Sequence, residues 1–352
     1  MAYSINAKDY FKTLLYTSNN GSSPRTITGV GFNPDMIWVK NRDSASYNHV
    51  LSDNVRGIGK ILQPDTTVAE SSNSGAGTIT ATNSDGFVLT AGSSNLSNYD
   101  TGTNKQVVWN WKANGQGSAN TDGTINTTYT SVNTTSGVSI IKYNGNGSAG
   151  ATIGHGLGIA PKFVMIKRTD TSSNWIVGTG ARGFNLFSYL NTNGTETANS
   201  GTFNDTAPST SLITLGSWND VNNSSGTYIA YAFAEKTGFS KFGSYTAYEN
   251  VDGTFIYTGF KPDFIMIKRT DSANDWMMFD TKRMSGSNPY NDYLEANNSI
   301  AEVDNSFIDI LSNGFKCRTV DASVNSNNSV YIYMAFAKAP LVGSNNVPAT
   351  AR

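Results

Sequence analysis

The sequence predicts an all-β protein, and three observations carry that prediction. Asn, Ser, Thr and Gly make up 154 of the 352 residues, and these types are poor helix formers that favour turns and caps. Aromatic residues are nevertheless 11% of the chain, far more than a disordered chain carries. Apolar residues also alternate with a period of two near the end of each third of the chain. In 228–234, Ile229, Tyr231 and Phe233 share one face and Tyr228, Ala230, Ala232 and Ala234 the other. In 331–337 the large face is Ile332, Met334 and Phe336. Such alternation marks a strand with a packed face. Helical period is weak everywhere, with short turns near 5–15 and 287–295 as the only candidates.

The first element is a strand motif that occurs three times. Residues 31–43 read GFNPDMIWVKNRD, 158–170 read GIAPKFVMIKRTD and 259–271 read GFKPDFIMIKRTD. Pro34, Pro161 and Pro262 open the three runs, where a residue without an N–H does least harm to a ladder. The run after each proline is apolar on both faces, which predicts a central strand covered on each side. The following Lys and Arg, as in Lys167-Arg168, are expected to return the chain to water. Next come polar hairpin loops, 170–175 and 271–276, running into Trp175 and Trp276. An arginine then recurs: Arg56, Arg182 and Arg283 lie 22, 21 and 21 residues beyond their prolines. Asp53 and Asp280 precede two of them by three residues, with Thr179 in the third place. A structural ion pair or backbone clamp is the favoured role. A Gly-Phe pair precedes a late strand at Gly86-Phe87 and Gly314-Phe315. The closing strands end on Trp111, Phe233 and Phe336, which lie 77, 72 and 74 residues after the prolines.

These markers predict three tandem related β-sandwich units, jelly-roll or Ig-like, of about 100 residues each. The expected boundaries are 1–113 for the first unit, 138–240 for the second and 241–340 for the third. Residues 114–137, almost wholly Gly, Ser, Thr and Asn, read as a flexible linker, and proteolysis is expected to cut first within 113–137. Residues 341–352 read as a C-terminal tail. The first unit carries Asn41-Arg42-Asp43 where the others carry Arg-Thr-Asp, and it lacks the tryptophan after its loop. That departure suggests a docking role for it. String and closed ring remain alternative arrangements of the three.

Chemistry-bearing clusters are scarce. The chain has 25 basic and 26 acidic residues, a net charge of −1, which offers nucleic acid no electrostatic footprint. No run approaches the roughly 18 apolar residues of a membrane span, and the first residues lack the basic and apolar regions of a signal peptide. Cys317 alone cannot form an internal disulfide or a multi-cysteine metal site. His49 and His155 fall at non-equivalent positions and read as hydrogen-bonding loop residues. No phosphate loop, nucleophile elbow, metal-ligand spacing or cofactor motif is present. Asp43, Asp170 and Asp271 recur once per unit, which fits turn capping better than catalysis. A glycosidase would need two carboxylates facing each other across a groove, and unit-specific acids such as Asp280, Glu295 and Asp304 keep that reading open.

Ligand binding has five candidate aromatics, Tyr47 among them because it lies in a polar stretch. Trp175 and Trp276 follow polar loops and would suit stacking on a sugar, but their equivalent positions favour packing. Tyr290 and Tyr293 occur in one unit only and suit a specific binding loop.

The chain also resembles, over nearly its whole length, a widespread family of β-rich proteins from marine tailed bacteriophages. The resemblance rests on MAYSINAKDYF, GVGFNPDMIWVKNRD, VVWNWKANGQGSANTDGTI, GHGLGIAPKFVMIKR, YIAYAFAEKTGFSKFGSYT, YTGFKPDFIMIKRTD and the ending YIYMAFAKAPLVGSNNVPATAR. It implies a non-enzymatic virion protein, with other virion proteins as partners and no catalytic residues. The leading expectation is a tail fibre or spike component for host attachment, trimeric, that recognises a cell-surface glycan or protein. Capsid decoration, or a neck or tail structural role, is the alternative. A glycan depolymerase comes third.

Overall fold

The computed structural model describes residues 5–19, 24–72, 75, 77–90, 99, 102–283, 288–338, 341–342 and 348–349. Its elements are almost all strands, as expected from the composition. The first third of the chain holds β1 (Phe11–Thr17), β2 (Arg25–Thr28), β3 (Met36–Asn41), β4 (Val50–Asp53), β5 (Thr78–Asn83), β6 (Gly86–Thr90) and β7 (Lys105–Trp111). Next come β8 (Tyr129–Asn133), β9 (Val138–Asn144), β10 (Ala151–Gly154), β11 (Phe163–Arg168), β12 (Trp175–Thr179), β13 (Leu186–Tyr189), β14 (Thr197–Ala198), β15 (Leu212–Leu215) and β16 (Thr227–Phe233). The last third holds β17 (Ser240–Thr246), β18 (Phe255–Tyr257), β19 (Pro262–Arg269), β20 (Met277–Asp280), β21 (Tyr290–Glu295), β22 (Val303–Leu311), β23 (Gly314–Cys317) and β24 (Val330–Ala337). Helix among the described residues is confined to a 3-10 turn at Ala7–Asp9 and two single turns, Ser200–Phe203 and Asn219–Asn222. The first weak helical candidate, 5–15, holds the short turn at Ala7–Asp9 and then the start of β1, whereas β21 occupies most of the second.

One strand order occurs three times. It is β1-β7-β3-β4 in the first sheet, β9-β16-β11-β12 within the second and β17-β24-β19-β20 within the third. In each, the strand after the motif proline lies between the closing strand and the hairpin strand that follows, all antiparallel. A second layer covers one face: β2-β6-β5 over the first sheet and β10-β15 over the second. In the third, β21, β22, β23 and β18 continue the same sheet. Gly86 pairs with Thr28 and Gly314 with Tyr257. A Cβ at Gly86 would lie 1.9 Å from the Ile27 carbonyl oxygen, and at Gly314 2.0 Å from that of Ile256, so these Gly-Phe pairs mark close backbone approach.

The doubly apolar motif strands face two cores. In β3, Met36 and Trp38 join a large core shared by all three sheets, while Ile37 and Val39 face the β2-β6-β5 layer. In β11, Phe163 and Met165 enter the shared core and Val164 and Ile166 the second layer's core. The closing strand β16 divides likewise, with Ile229, Tyr231 and Phe233 in the shared core and Tyr228, Ala230 and Ala232 in the other. At the centre, Trp111, Phe233 and Phe336 form a triangle, with centroids 6.5 Å, 5.7 Å and 6.0 Å apart. The aromatics that close the three repeated spacings thus meet one another.

The segment read as a flexible linker is corrected by its bonding. Residues 129–133 form β8, which pairs with β9 and widens the second sheet. Asp35 accepts hydrogen bonds from the Ala113 and Gly115 amides at 2.7 and 3.0 Å. Ser118 bridges to Thr130 and Ile125 to Ile153. Small polar residues here serve close packing: a Cβ at Gly117 would lie 2.1 Å from the Thr130 carbonyl oxygen.

Candidate functional site

The recurring charged residues lie at the joints between sheets. Lys40, Lys167 and Lys268 are fully buried, which corrects the expectation that they return the chain to water. Each ammonium donates to a carbonyl of a neighbouring sheet's connection: Lys40 to Ser299 (2.9 Å), Lys167 to Thr67 (3.1 Å) and Lys268 to Asn193 (3.3 Å). Burial pushes each of them down to about 8. A backbone bond repeats in the same sense: Glu302 N–H to Arg42 O, Glu70 N–H to Thr169 O and Glu196 N–H to Thr270 O. First joins third, second joins first and third joins second, so the contacts close a ring within one chain.

Trp175 and Trp276, for which the sequence favoured packing over stacking on a ligand, are 0% and 1% exposed. Their indole N–H groups donate to Gln63 O (3.0 Å) and Tyr189 O (2.9 Å) of the adjoining sheet. The ligand role fails because no ring face is open, and the favoured packing role holds. The missing third tryptophan is His49, whose Nε2 lies 2.9 Å from Glu295 O. Its Nδ1 accepts from Trp38 Nε1 at 2.9 Å, so the proton sits on Nε2 and the imidazole is neutral. Burial, and then the Lys40 charge, hold its pKa well below the usual histidine value. His49 is a buried residue at the head of β4. His155 is also buried, with Nδ1 accepting from Leu157 N–H and Nε2 near Ser209 O.

Arg56 and Arg283 are buried clamps. Each bonds the carboxylate three residues back, Asp53 or Asp280, at 2.6 Å. Each also reaches a later glutamate, Glu70 at 3.2 Å or Glu302 at 3.0 Å, and a backbone carbonyl, Leu51 or Met278. Arg182, with Thr179 in place of the aspartate, keeps only Glu196 at 2.9 Å and is a third exposed. Burial opposes the Arg56 charge, but Asp53, Tyr231 and Glu70 together raise its pKa. Asp43, Asp170 and Asp271 accept from the first residues of the closing strands, namely Lys105, Thr227 and Val330.

Tyr293 is half-buried and packs edge-on against Phe307 at 4.9 Å. Tyr290 starts β21 opposite Ile308; its side chain lies outside the described residues. Pro161 precedes β11, Pro34 precedes β3 and Pro262 opens β19, all buried. Cys317 is buried, and burial pushes its thiol up to about 12. Among the described residues no three His, Cys, Asp or Glu side chains gather in metal-ligand fashion. No helix there is long and apolar enough to cross a membrane.

The candidate site is an exposed aromatic face that the sequence did not single out. Phe255 and Tyr257 stand outward from β18, 44% and 64% exposed, with buried Ile256 between them. Tyr248 and Val251, in the preceding turn, are more than half exposed. Beside Phe255, whose cross-strand partner is Lys316, lies a charged rim. Asp252 bonds Lys316 at 2.6 Å and Arg318 at 2.5 Å, and Arg318 also bonds Asp309 at 2.5 Å. The Lys316 bond and charge hold Asp252 below the usual carboxylate range. The equivalent outward positions are Thr26 and Thr28 on β2, and Thr152 and Gly154 on β10. On β10 the 114–137 segment covers them, with Thr124 on Thr152 and Asn120 so close to Gly154 that a Cβ would meet it at 1.7 Å. Two outward rings one strand-repeat apart, with charged hydrogen-bonding groups alongside, can stack on a ring-shaped ligand and hold its polar edge. The signal available in the sequence was Phe255–Tyr257 itself, two aromatics flanking an isoleucine where the other units have small residues.

A profile described as a domain of unknown function, DUF7483, matches residues 6–340, and the chain belongs to that family. No curated protein and no solved structure matches it.

Proposed function

We propose that this member of the DUF7483 family is a non-enzymatic structural protein of a bacteriophage particle, working in host attachment as a tail fibre or spike component. The observation that carries the reading is the outward pair Phe255 and Tyr257 with its charged rim. Exposed aromatic faces of this kind mark interaction sites, and a ring stacked on the apolar side of a pyranose is a common way for β-proteins to hold sugars. The resemblance to phage proteins supports the particle, and the neutral, turn-rich, interlocked β-structure suits a rigid carrier. Capsid decoration is the alternative, in which the same aromatic face would dock on the shell.

Antibody-gold labelling of intact particles tests the reading. Gold at the tail tip supports attachment; the next measurement is glycan-array binding, with loss of at least tenfold expected for Phe255→Ala/Tyr257→Ala. Gold scattered over the head selects decoration. Particles without gold contradict the virion reading and reopen the enzyme.

A further inference from the structure

Among the described residues, the first sheet leaves a strand position open. Strand β1 is its edge, whereas the corresponding β9 carries β8 on that side. The Tyr10 carbonyl accepts from Lys112 N–H and Ser18 N–H donates to Asn104 O. Residues of that parity face β7, so Phe11, Thr13, Leu15 and Thr17 turn their backbone groups outward. Thr17 O is capped by Arg25 Nη2 at 2.8 Å. Thr13 and Leu15 have no backbone partner outward among the described residues. The buried Thr13 hydroxyl has none either. These groups line a groove of about 430 Å³ with Lys12, Leu14, Gly29 and Lys282. Neither lysine makes an ion pair among the described residues.

We propose that the β1 edge takes up an extended acidic peptide segment of a partner protein as an added strand. The unpaired N–H and C=O groups supply the ladder, and Lys12 and Lys282 select acidic side chains. Two further lysines flank the place: Lys338, partly buried, feels Lys261, Lys282 and Lys12 as like charges, with the Asp263 carboxyl offsetting them. The chain's own end, residues 339–352, has no acidic residue, and a second copy paired edge to edge would set lysine against lysine. Charge therefore favours a different protein as occupant. The inference stands apart from the virion reading.

Fluorescence anisotropy with two labelled peptides tests it, one alternating Thr/Val with Glu and one with Lys in place of Glu. The acidic peptide should bind and the basic one should not. Lys12→Glu/Lys282→Glu should weaken binding at least tenfold. Leu15→Pro, which removes an outward N–H and leaves the β7 ladder intact, should do the same. Hydrogen exchange at Thr13 and Leu15 should slow when the peptide is bound, and this readout decides if Leu15→Pro does not fold. Equal binding of both peptides, no binding, or binding without slowed exchange overturns the proposal. So does self-association through this edge that Leu15→Pro abolishes.

Discussion

Trp38 and His49 together fill the space that Met165 with Trp175, and Met266 with Trp276, fill in the other two sheets. The large ring has moved one strand over, and the small one supplies the N–H that the joint requires. Trp38 packs edge-on against both His49 and Trp109, at 5.8 and 6.1 Å, so the site has no room for a second indole. His49→Trp alone should cost about 1–3 kcal/mol through overpacking. Trp38→Met/His49→Trp should recover most of that, a coupling that urea unfolding of the cycle measures. The pH profile should change as well. His49 stays neutral when folded, while the unfolded chain protonates near 6.5. The unfolded state then binds more protons below that pH, and stability falls on acidification by up to about 1.4 kcal/mol per pH unit. Glu295 and Asp65, pushed up by burial to about 7 and about 6, tilt the other way in both proteins. Subtracting the profiles should isolate the histidine slope in the parent; parallel profiles would contradict the buried neutral imidazole. Charge burial gives a second contrast. Arg56→Ala strands the buried Asp53 carboxylate and should cost about 3–5 kcal/mol. Arg182→Ala, at a more exposed pair, should cost about 1 kcal/mol or less.

Among elements, the joints differ in a matched way. Tyr231 OH on β16 donates to Asp53 at the end of β4, at 2.6 Å. Trp109 Nε1 on β7 donates to Asp280 at the end of β20, at 3.2 Å. At the third joint the donor's position holds Met334 and the acceptor's holds Thr179, whose buried hydroxyl has no partner among the described residues. Donor and carboxylate are present together or absent together. Thr179→Asp and Met334→Tyr should each destabilise singly, and the double variant should recover about 1.5–3 kcal/mol, the worth of a charged hydrogen bond. Additive effects in that cycle would mean the third joint is not built like the others. The sequence made the arginine and the aspartate legible through their three-residue spacing. The tyrosine and tryptophan donors were not legible as partners, because they come from another sheet more than 170 residues away in sequence. The same limit explains Lys40, Lys167 and Lys268. A lysine after an apolar run looks like a strand end, and only the neighbouring sheet's carbonyls make its burial affordable. For 114–137, composition misled: small polar residues suit a spacer, but they suit close backbone packing equally well. Limited proteolysis should therefore spare 114–137.

At the scale of the whole molecule, the recurring prolines, arginines and aromatics were legible as three copies of one pattern. Closure was not, because periodicity says how often a pattern occurs and not where the copies meet. The exposed aromatic face followed the same rule: Phe255 and Tyr257 alternate like core residues, and their exposure depends on β18 having no covering segment among the described residues. The central claim is that three sheets share one core around Trp111, Phe233 and Phe336, and so fold together. Differential scanning calorimetry of the parent and Phe336→Ala tests it most directly. A shared core predicts one transition, with calorimetric and van't Hoff enthalpies in a ratio near one, displaced as a whole by the substitution. Separate transitions, of which Phe336→Ala lowers one and leaves the others in place, would contradict the ring.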